Sequence, residues 1–429
     1  MSALLDELPE AVELVYADLM WRKGKRVDPT KGRDGLSAEQ VLRALIVKNV
    51  NQFSYEELAF HLADSNTYRT FCRLGFDKDP PKKSTLQKNI KRVKAETWEM
   101  INQLLVRKAE ELGVEKRNKV RTDCTVVESN IHHPTDSSLL WDSVRVLVRL
   151  MNEAKEDFGL KFTNHSLRAK RRTMGILNAK SFKKRVPLYR DLLKVTDKTV
   201  KQAQEIAEQL EHVSVSSIVE AARVGALTSE LLKYIELANK VIWQTERRVV
   251  HGESVPANEK IVSIFEPHTD IIRKDRRDTY YGHKICLTSG ASGLVTDVVV
   301  EDGNPSDSTL AVKMVKRQRE FYGSVPRQVC FDGGFASKAN LADIKKLGVV
   351  DVAFAKRCGL AITDMVKSSW VYKRLRNFRA GIEGTISFLK RALGLDRCLW
   401  RSRASFKAYV HASVLAGNLL TLARHVLAA

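Results

Sequence analysis

One short segment governs what this chain can fold into. Lys119-Val-Arg-Thr-Asp-Cys-Thr-Val-Val127 is β-branched and roughly alternating, which marks a strand, and it lies between two long stretches of helical period. A lone strand leaves its backbone groups without partners, so it must pair with strands that come much later. These begin at 261. Ile261–Phe265 reads as a strand, and His283–Thr288 and Leu294–Glu301 read as a hairpin joined by Ser289–Gly293. A helix at 308–321, a strand at Arg327–Asp332 halted by Gly333-Gly334, a helix at 336–347, a strand at Val349–Ala355 and two final helices complete the order. The fold class is α/β: a mixed sheet with flanking helices, a helical insertion after the first strand, and an all-helical N-terminal domain.

Residues 1–112 read as three or four helices. Ser37-Ala-Glu-Gln40, Ser54-Tyr-Glu-Glu57 and Ser84-Thr-Leu-Gln87 each have the form of a capping box, and Pro80-Pro81 break the chain before the last helix. Helical period returns over 141–250. The expected division is a helical domain at 1–112, the first part of the α/β domain at 113–140, a basic helical insertion at 141–253, and the rest of the α/β domain with its C-terminal helices at 254–429.

The chain carries 72 Lys and Arg against 51 Asp and Glu, a formal net charge of +21. This charge is concentrated. Residues 160–201 hold 13 cations and 2 acids, and residues 356–403 hold 12 and 3, so the two blocks account for +20 of the total. Two basic blocks in an otherwise neutral chain suit a polyanion, with nucleic acid ahead of a lipid surface. In the first block Arg168, Lys170, Arg171, Arg172, Lys183, Lys184 and Arg185 are the candidate phosphate contacts. No run of ~18 apolar residues suggests a membrane span. The N-terminal MSALLDELPEAVE lacks a basic region and does not read as a signal peptide, and the six scattered cysteines form no CxxC pair, which fits a reducing cytosol.

Three carboxylates occupy telling positions. Asp123 lies inside the first strand, Asp332 closes a later one, and Glu383 sits in a helix within the second basic block. An Asp in an apolar strand is costly without partners. If the two strands are adjacent, their carboxylates meet at one edge of the sheet, and a helix Glu beside them completes an all-oxygen site for Mg²⁺ or Mn²⁺. Two such ions ~3.5–4 Å apart catalyse in-line attack on phosphodiesters. Arg379, Glu383 and Lys390 fall on one helix face, so the Glu lies between two cations suited to phosphate oxygens.

The set Arg121-Thr-Asp-Cys-Thr125, Asn130-Ile-His-His-Pro-Thr-Asp136, Tyr281-Gly-His-Lys284, Gly303-Asn-Pro-Ser-Asp307, Phe331-Asp-Gly-Gly334 and Arg379-x3-Glu383-x6-Lys390 resembles the DDE transposases of bacterial insertion sequences. The resemblance covers nearly the whole chain. It departs where the family has Tyr three residues before the Arg: Arg376 stands there, and Tyr372 lies one turn earlier. It implies a ribonuclease-H-like catalytic domain with Asp123, Asp332 and Glu383 as catalytic metal ligands, two Mg²⁺ or Mn²⁺ ions per site, and Asp123 bridging them. The implied chemistry is cleavage at element ends followed by 3′-hydroxyl strand transfer. The implied partners are double-stranded DNA (terminal repeats and target) and a second copy of the chain when ends are paired, in the bacterial cytoplasm with no membrane. A structure-specific nuclease or resolvase, and a DNA-binding derivative without catalysis, are the alternatives.

Other residues are read as structural. His132-His133 belong to a loop, because neighbouring side chains point apart. Asp136 and Asp307 shape turns. Asp297, Glu301 and Asp302 compete with Asp332 as second ligand, Trp400 is either a base-stacking or a core residue, and Cys124 and Cys330 belong to the core.

Overall fold

The structure is a computed structural model and describes residues 1–22, 25–26, 35–77, 79–274 and 278–429. Its contacts divide it into two compact units: residues 1–130 with 282–429, and residues 131–281.

The first unit opens with helices α1 (Ser2–Asp6), α2 (Pro9–Leu19), α3 (Ala38–Val50), α4 (Tyr55–Asp64), α5 (Asn66–Phe71), α6 (Lys83–Ile90) and α7 (Ala95–Glu111). This is more, and shorter, helices than the periodicity predicts. A two-residue antiparallel ladder, β1 (Trp21–Arg22) and β2 (Lys25–Arg26), follows α2, and residues 23–24 and 27–34 of the expected helical segment lie outside the described residues. Ser37 and Ser54 close capping boxes with Gln40 and Glu57. Ser84 does not cap. The extended Pro80-Pro81 entry starts the helix at once, Lys82 is its N-cap, and Ser84 falls inside the first turn. The period running through Leu86 and Leu105 is also cut, at 91–94. There Asp18, from α2, accepts hydrogen bonds from the Lys94 amide (2.8 Å) and the Thr97 hydroxyl (2.6 Å), so a distant carboxylate starts α7.

Strand β3 (Lys119–Ser129) leads to the second unit, in which α8 (Asp136–Phe158), α9 (Ser166–Asn178), α10 (Phe182–Glu211) and α11 (Ile218–Thr245) share one apolar core. Thr135 and Ser138 form the capping box that starts α8. The strand expected at Ile261–Phe265 is absent. Ile261 and Ile264 instead fill the helical core, and the Gln244 side chain takes both backbone bonds of Ile261, at 3.0 and 3.1 Å, as a strand partner would. Strand geometry begins later, at β4 (Asp270–Lys274) and β5 (Asp278–Ser289).

The first unit then resumes with β6 (Val295–Val300), α12 (Asp307–Tyr322), β7 (Gln328–Phe331), α13 (Lys338–Lys346), β8 (Asp351–Phe354), α14 (Ile362–Met365), α15 (Ser369–Leu393), β9 (Arg397–Cys398) and α16 (Arg403–Ala428). The sheet of seven strands has the order β4-β5-β3-β7-β8, with β6 also paired to β5. The pairs β6/β5 and β5/β3 are antiparallel, β3/β7 and β7/β8 parallel, and β9 adds two pairs at the end of β3. The isolated strand of the sequence is thus the centre of a mixed sheet. Gly282 lets β5 close on β3, since a Cβ there would stand 2.0 Å from the Val127 carbonyl oxygen. Helices α3 and α7 pack on α16, and one apolar core joins them to β5 and β6.

Candidate active site

Parallel pairing of β3 with β7 sets the site. Thr122 lies opposite Phe331, so the next residues, Asp123 and Asp332, emerge side by side where the two strands separate. Asp332 also begins a short 3₁₀ turn, Gly333–Phe335, which carries the chain away from the sheet. Ser368 caps α15, which runs across β3, β7 and β8. Its Gly381 permits the approach: a Cβ there would meet the Arg121 guanidinium at 2.0 Å. Arg121 is fixed beneath it, donating to Ser289 Oγ and to the Phe378 carbonyl, both at 2.9 Å.

These constraints aim Arg379 at all three carboxylates. Its Nη2 lies 2.7 Å from Asp123 Oδ2 and 3.4 Å from Asp332 Oδ1, and its Nη1 lies 3.2 Å from Glu383 Oε1. Asp123 is 15% exposed, Asp332 44% and Glu383 70%, so the cluster opens from a covered floor to an accessible rim. Lys390 lies farther along α15 and pairs with Asp396 at 3.2 Å. The donor set is all carboxylate, as hard divalent cations prefer, and it already gathers around one positive group. In this arrangement the guanidinium is that group. Among the described residues no three His, Cys, Asp or Glu side chains stand close enough to share an ion.

Two family models match the chain. One, described as a transposase DDE domain, matches residues 260–419, and the other, a transposase domain (DUF772), matches residues 2–92. Both matched segments are of the DDE transposase type found in insertion sequences. No curated protein and no solved structure matches it. A transposase DDE domain implies DNA binding and nucleic-acid cleavage in general, and such domains generally use divalent metal ions.

The rivals for the second carboxylate have other duties in this chain. Buried Asp297 pairs with Arg317 at 2.8 Å, Glu301 with Lys313 at 2.8 Å, and Asp302 with Arg403 at 2.6 Å. Asp307 starts α12 and accepts from Lys284 at 2.9 Å, while Lys284 also donates to the Pro305 carbonyl at 2.7 Å. The Tyr281–Lys284 and Gly303–Asp307 motifs therefore meet, and Asp307 also lies beside Gly334, so that the loop behind Asp332 is braced. Asp136 pairs with Arg248 at 2.9 Å, and His132 sits 3.3 Å from Asp142 in a loop. Tyr372 is buried and donates to the Phe354 carbonyl at 2.8 Å, whereas Arg376 is exposed. Trp400 is buried at 4% exposure and Cys330 is fully buried, while Cys124 is half-buried.

The first basic block lies on α9 and α10. Arg168 and Arg172 both hold Asp191, and Arg185 donates to the Ala179 carbonyl at 3.0 Å. Lys170, Arg171, Lys183 and Lys184 are exposed and make no ion pair among the described residues. Sequence reasoning missed two cations beside the site. Lys119 and Arg121 share a β3 face with Asp123, and both lie over the Phe378 ring, at 4.2 and 4.7 Å. Their i, i+2, i+4 spacing was the available signal.

Proposed function

We propose that the chain is the DNA transposase of an insertion sequence, cutting at element ends and joining the freed 3′-hydroxyl to target DNA. One observation carries this reading: Asp123, Asp332 and Glu383, from two adjacent strands and a crossing helix, converge on a single cation, the Arg379 guanidinium. The antiparallel β5/β6 hairpin beside β3, with the parallel β3/β7 and β7/β8 pairs, supports a ribonuclease-H-like catalytic domain. Asp123, Asp332 and Glu383 would hold two Mg²⁺ or Mn²⁺ ions, which when bound supply Lewis-acid activation of the attacking oxygen and stabilisation of the leaving oxygen.

The chain's own residues do the positioning. Asp123, the most covered carboxylate, fixes the floor of the site. Arg379 neutralises the three acids and, turned outward, can hold a phosphate of the bound strand by its paired N–H groups. Lys390, on the same helix face, holds a neighbouring phosphate as a point charge. The helices of residues 1–112 and the block at 160–201 bind element ends or target DNA, and joining two ends calls for at least two copies of the chain.

The test is incubation of the purified protein with Mg²⁺ and a duplex containing an element end, followed by sequencing of the products. Transposition yields 3′-ends cut at the terminus and joined to a second duplex. Cut but unjoined ends would make it a nuclease, and uncut DNA under conditions of binding would overturn the catalytic reading.

A further inference from the structure

Lys48 is out of place for a helix residue. It lies in α3 at only 9% exposure, and burial holds its ammonium well below the usual lysine range, to about 8. Among the described residues it has no ion-pair partner, and its charged surroundings mix Glu57 with a second cation, Lys91. Burying an ammonium without a carboxylate partner costs the fold free energy, which makes the group a candidate for another role.

The surroundings supply one. Lys48 Nζ lies 5.0 Å from the Tyr55 ring centre, and Lys91 Nζ lies 5.8 Å from that of Trp400. The two rings are 6.5 Å apart and inclined by 27°. The Tyr55 hydroxyl and Asn49 Nδ2 are buried with no hydrogen-bond partner among the described residues, and Asn49 as a whole is only 3% exposed. These groups line a recess of about 700 Å³, which Lys390 borders from the other side. Five cations and three carboxylates line it in all. Three of those cations, Lys83, Lys390 and Arg397, are answered by Glu56, Asp396 and Glu128, whereas Lys48 and Lys91 are not. Unanswered cations beside aromatic faces, with spare buried polar atoms, are what a single nucleic-acid strand takes: phosphate on the cations, base on the rings. The recess has the volume of a small-molecule site, enough for a nucleotide and too small for a double helix.

We propose that this recess binds an unpaired nucleotide of a DNA strand, with its phosphate on Lys48 and Lys91 and its base against Tyr55 and Trp400. Lys390 is shared by the recess and the face of α15 that carries Glu383, so the nucleotide belongs to a strand leading to the active site. The inference rests on the reading of the chain as an enzyme of DNA ends, and not on the choice of metal ligands.

The test uses the full chain in EDTA with two probes: a 5′-phosphorylated thymidylate hexamer carrying one 2-aminopurine, and a blunt duplex of arbitrary sequence. The wild type should quench the 2-aminopurine on binding. Lys48→Met with Lys91→Ala should abolish most of that quenching and lower the log–log salt slope for the hexamer by ~1.4, since each single-strand phosphate left without its cation removes ~0.7. Duplex binding should be little changed, and the melting temperature of Lys48→Met should hold or rise. Lys91→Ala alone, at a half-exposed position, should give half the change in slope without disturbing the helices. An unquenched hexamer with normal duplex binding overturns the recess alone, whereas loss of both overturns the DNA reading as well. A fall of several degrees in the melting temperature of Lys48→Met would mean that the lysine serves the fold.

Discussion

Arg379 Nη2 stands 2.7 Å from Asp123 Oδ2, which ties the helix of the Arg-x3-Glu-x6-Lys signature to the central strand of the sheet. Both side chains are about 16% exposed, so the pair is screened far less than a surface ion pair. Arg379→Gln leaves Asp123 covered and without this cation. In the absence of divalent ions it should destabilise the chain by about 1–3 kcal/mol, less than the full cost of breaking a deeply buried pair. Mn²⁺ should raise the melting temperature of the variant more than that of the wild type, because no guanidinium has to move aside. Equal Mn²⁺ responses would show that Arg379 and metal do not compete for the carboxylates.

Asp123→Asn keeps the shape of the side chain and removes its charge. Cleavage and joining should both fall to background, with duplex binding retained in a gel-shift assay. Strand transfer near the wild-type level would exclude Asp123 as a ligand, and loss of binding as well would point to misfolding.

Gly381→Ala tests what brings α15 onto β3. The new methyl displaces the Arg121 guanidinium, which is buried and holds the Phe378 carbonyl. Loss of a charge-assisted bond inside the fold should cost about 1.5–3 kcal/mol. The middle of α15, which carries Arg379, should shift with it. Thermal melting checks the first effect, and a fall in cleavage beyond the loss of folded protein checks the second.

How much of this was legible in the sequence depended on how local the physics is. Ser37 and Ser54 cap their own helices, and the hairpin of β5 and β6 is joined by five nearby residues, so each is written in neighbouring positions. Asp123 and Asp332 were visible as acids in strands, and their meeting followed once the strands were taken as adjacent. The gathering of all three carboxylates on Arg379 was not visible, because i, i+4 spacing gives only the contact with Glu383. Asp18 capping α7, and Gln244 acting as a strand partner for Ile261, are side chains meeting backbone 76 and 17 residues away. No periodicity records such pairs, so neither the start of α7 nor the missing strand at 261 could be read locally. Lys48 escaped notice for the same reason: in the sequence it is one more cation on a helix.

His411 gives a pH dependence with a definite sign. Burial, reinforced by the cations Arg317 and Lys407, holds its imidazole down at about 3. In the unfolded chain it protonates near 6.5. Between these values the unfolded state binds the proton and the folded state does not, so stability falls as pH drops through about 6.5 and continues to fall towards about 3. The contribution is at most ~1.4 kcal/mol per pH unit. Melting curves from pH 7.5 to 4.5 should be less steep in pH for His411→Gln than for the wild type. Parallel pH profiles would assign the acid sensitivity to other groups.

The last prediction concerns Lys183, Lys184 and Arg185 at the start of α10. All three are exposed, and the two lysines make no ion pair among the described residues, unlike Arg168 and Arg172, which are occupied by Asp191. Exposed Phe182, at 60% exposure, lies beside them, so this end of the helix offers charge and an apolar edge together. Phosphate contacts of this kind set affinity and not sequence choice. Replacing all three by Ala should weaken binding to every duplex about equally and lower the log–log salt slope by ~2–3, at ~0.9 for each phosphate. Cleavage at saturating protein should change little, because none of the three carboxylates is touched. If the block instead faces acidic residues of a second copy of the chain, the slope will stay put and the oligomeric state or melting temperature will change. Binding measured at several salt concentrations, beside a melting curve and a sedimentation run, separates the two cases, and an unchanged slope removes this block from the DNA-binding surface.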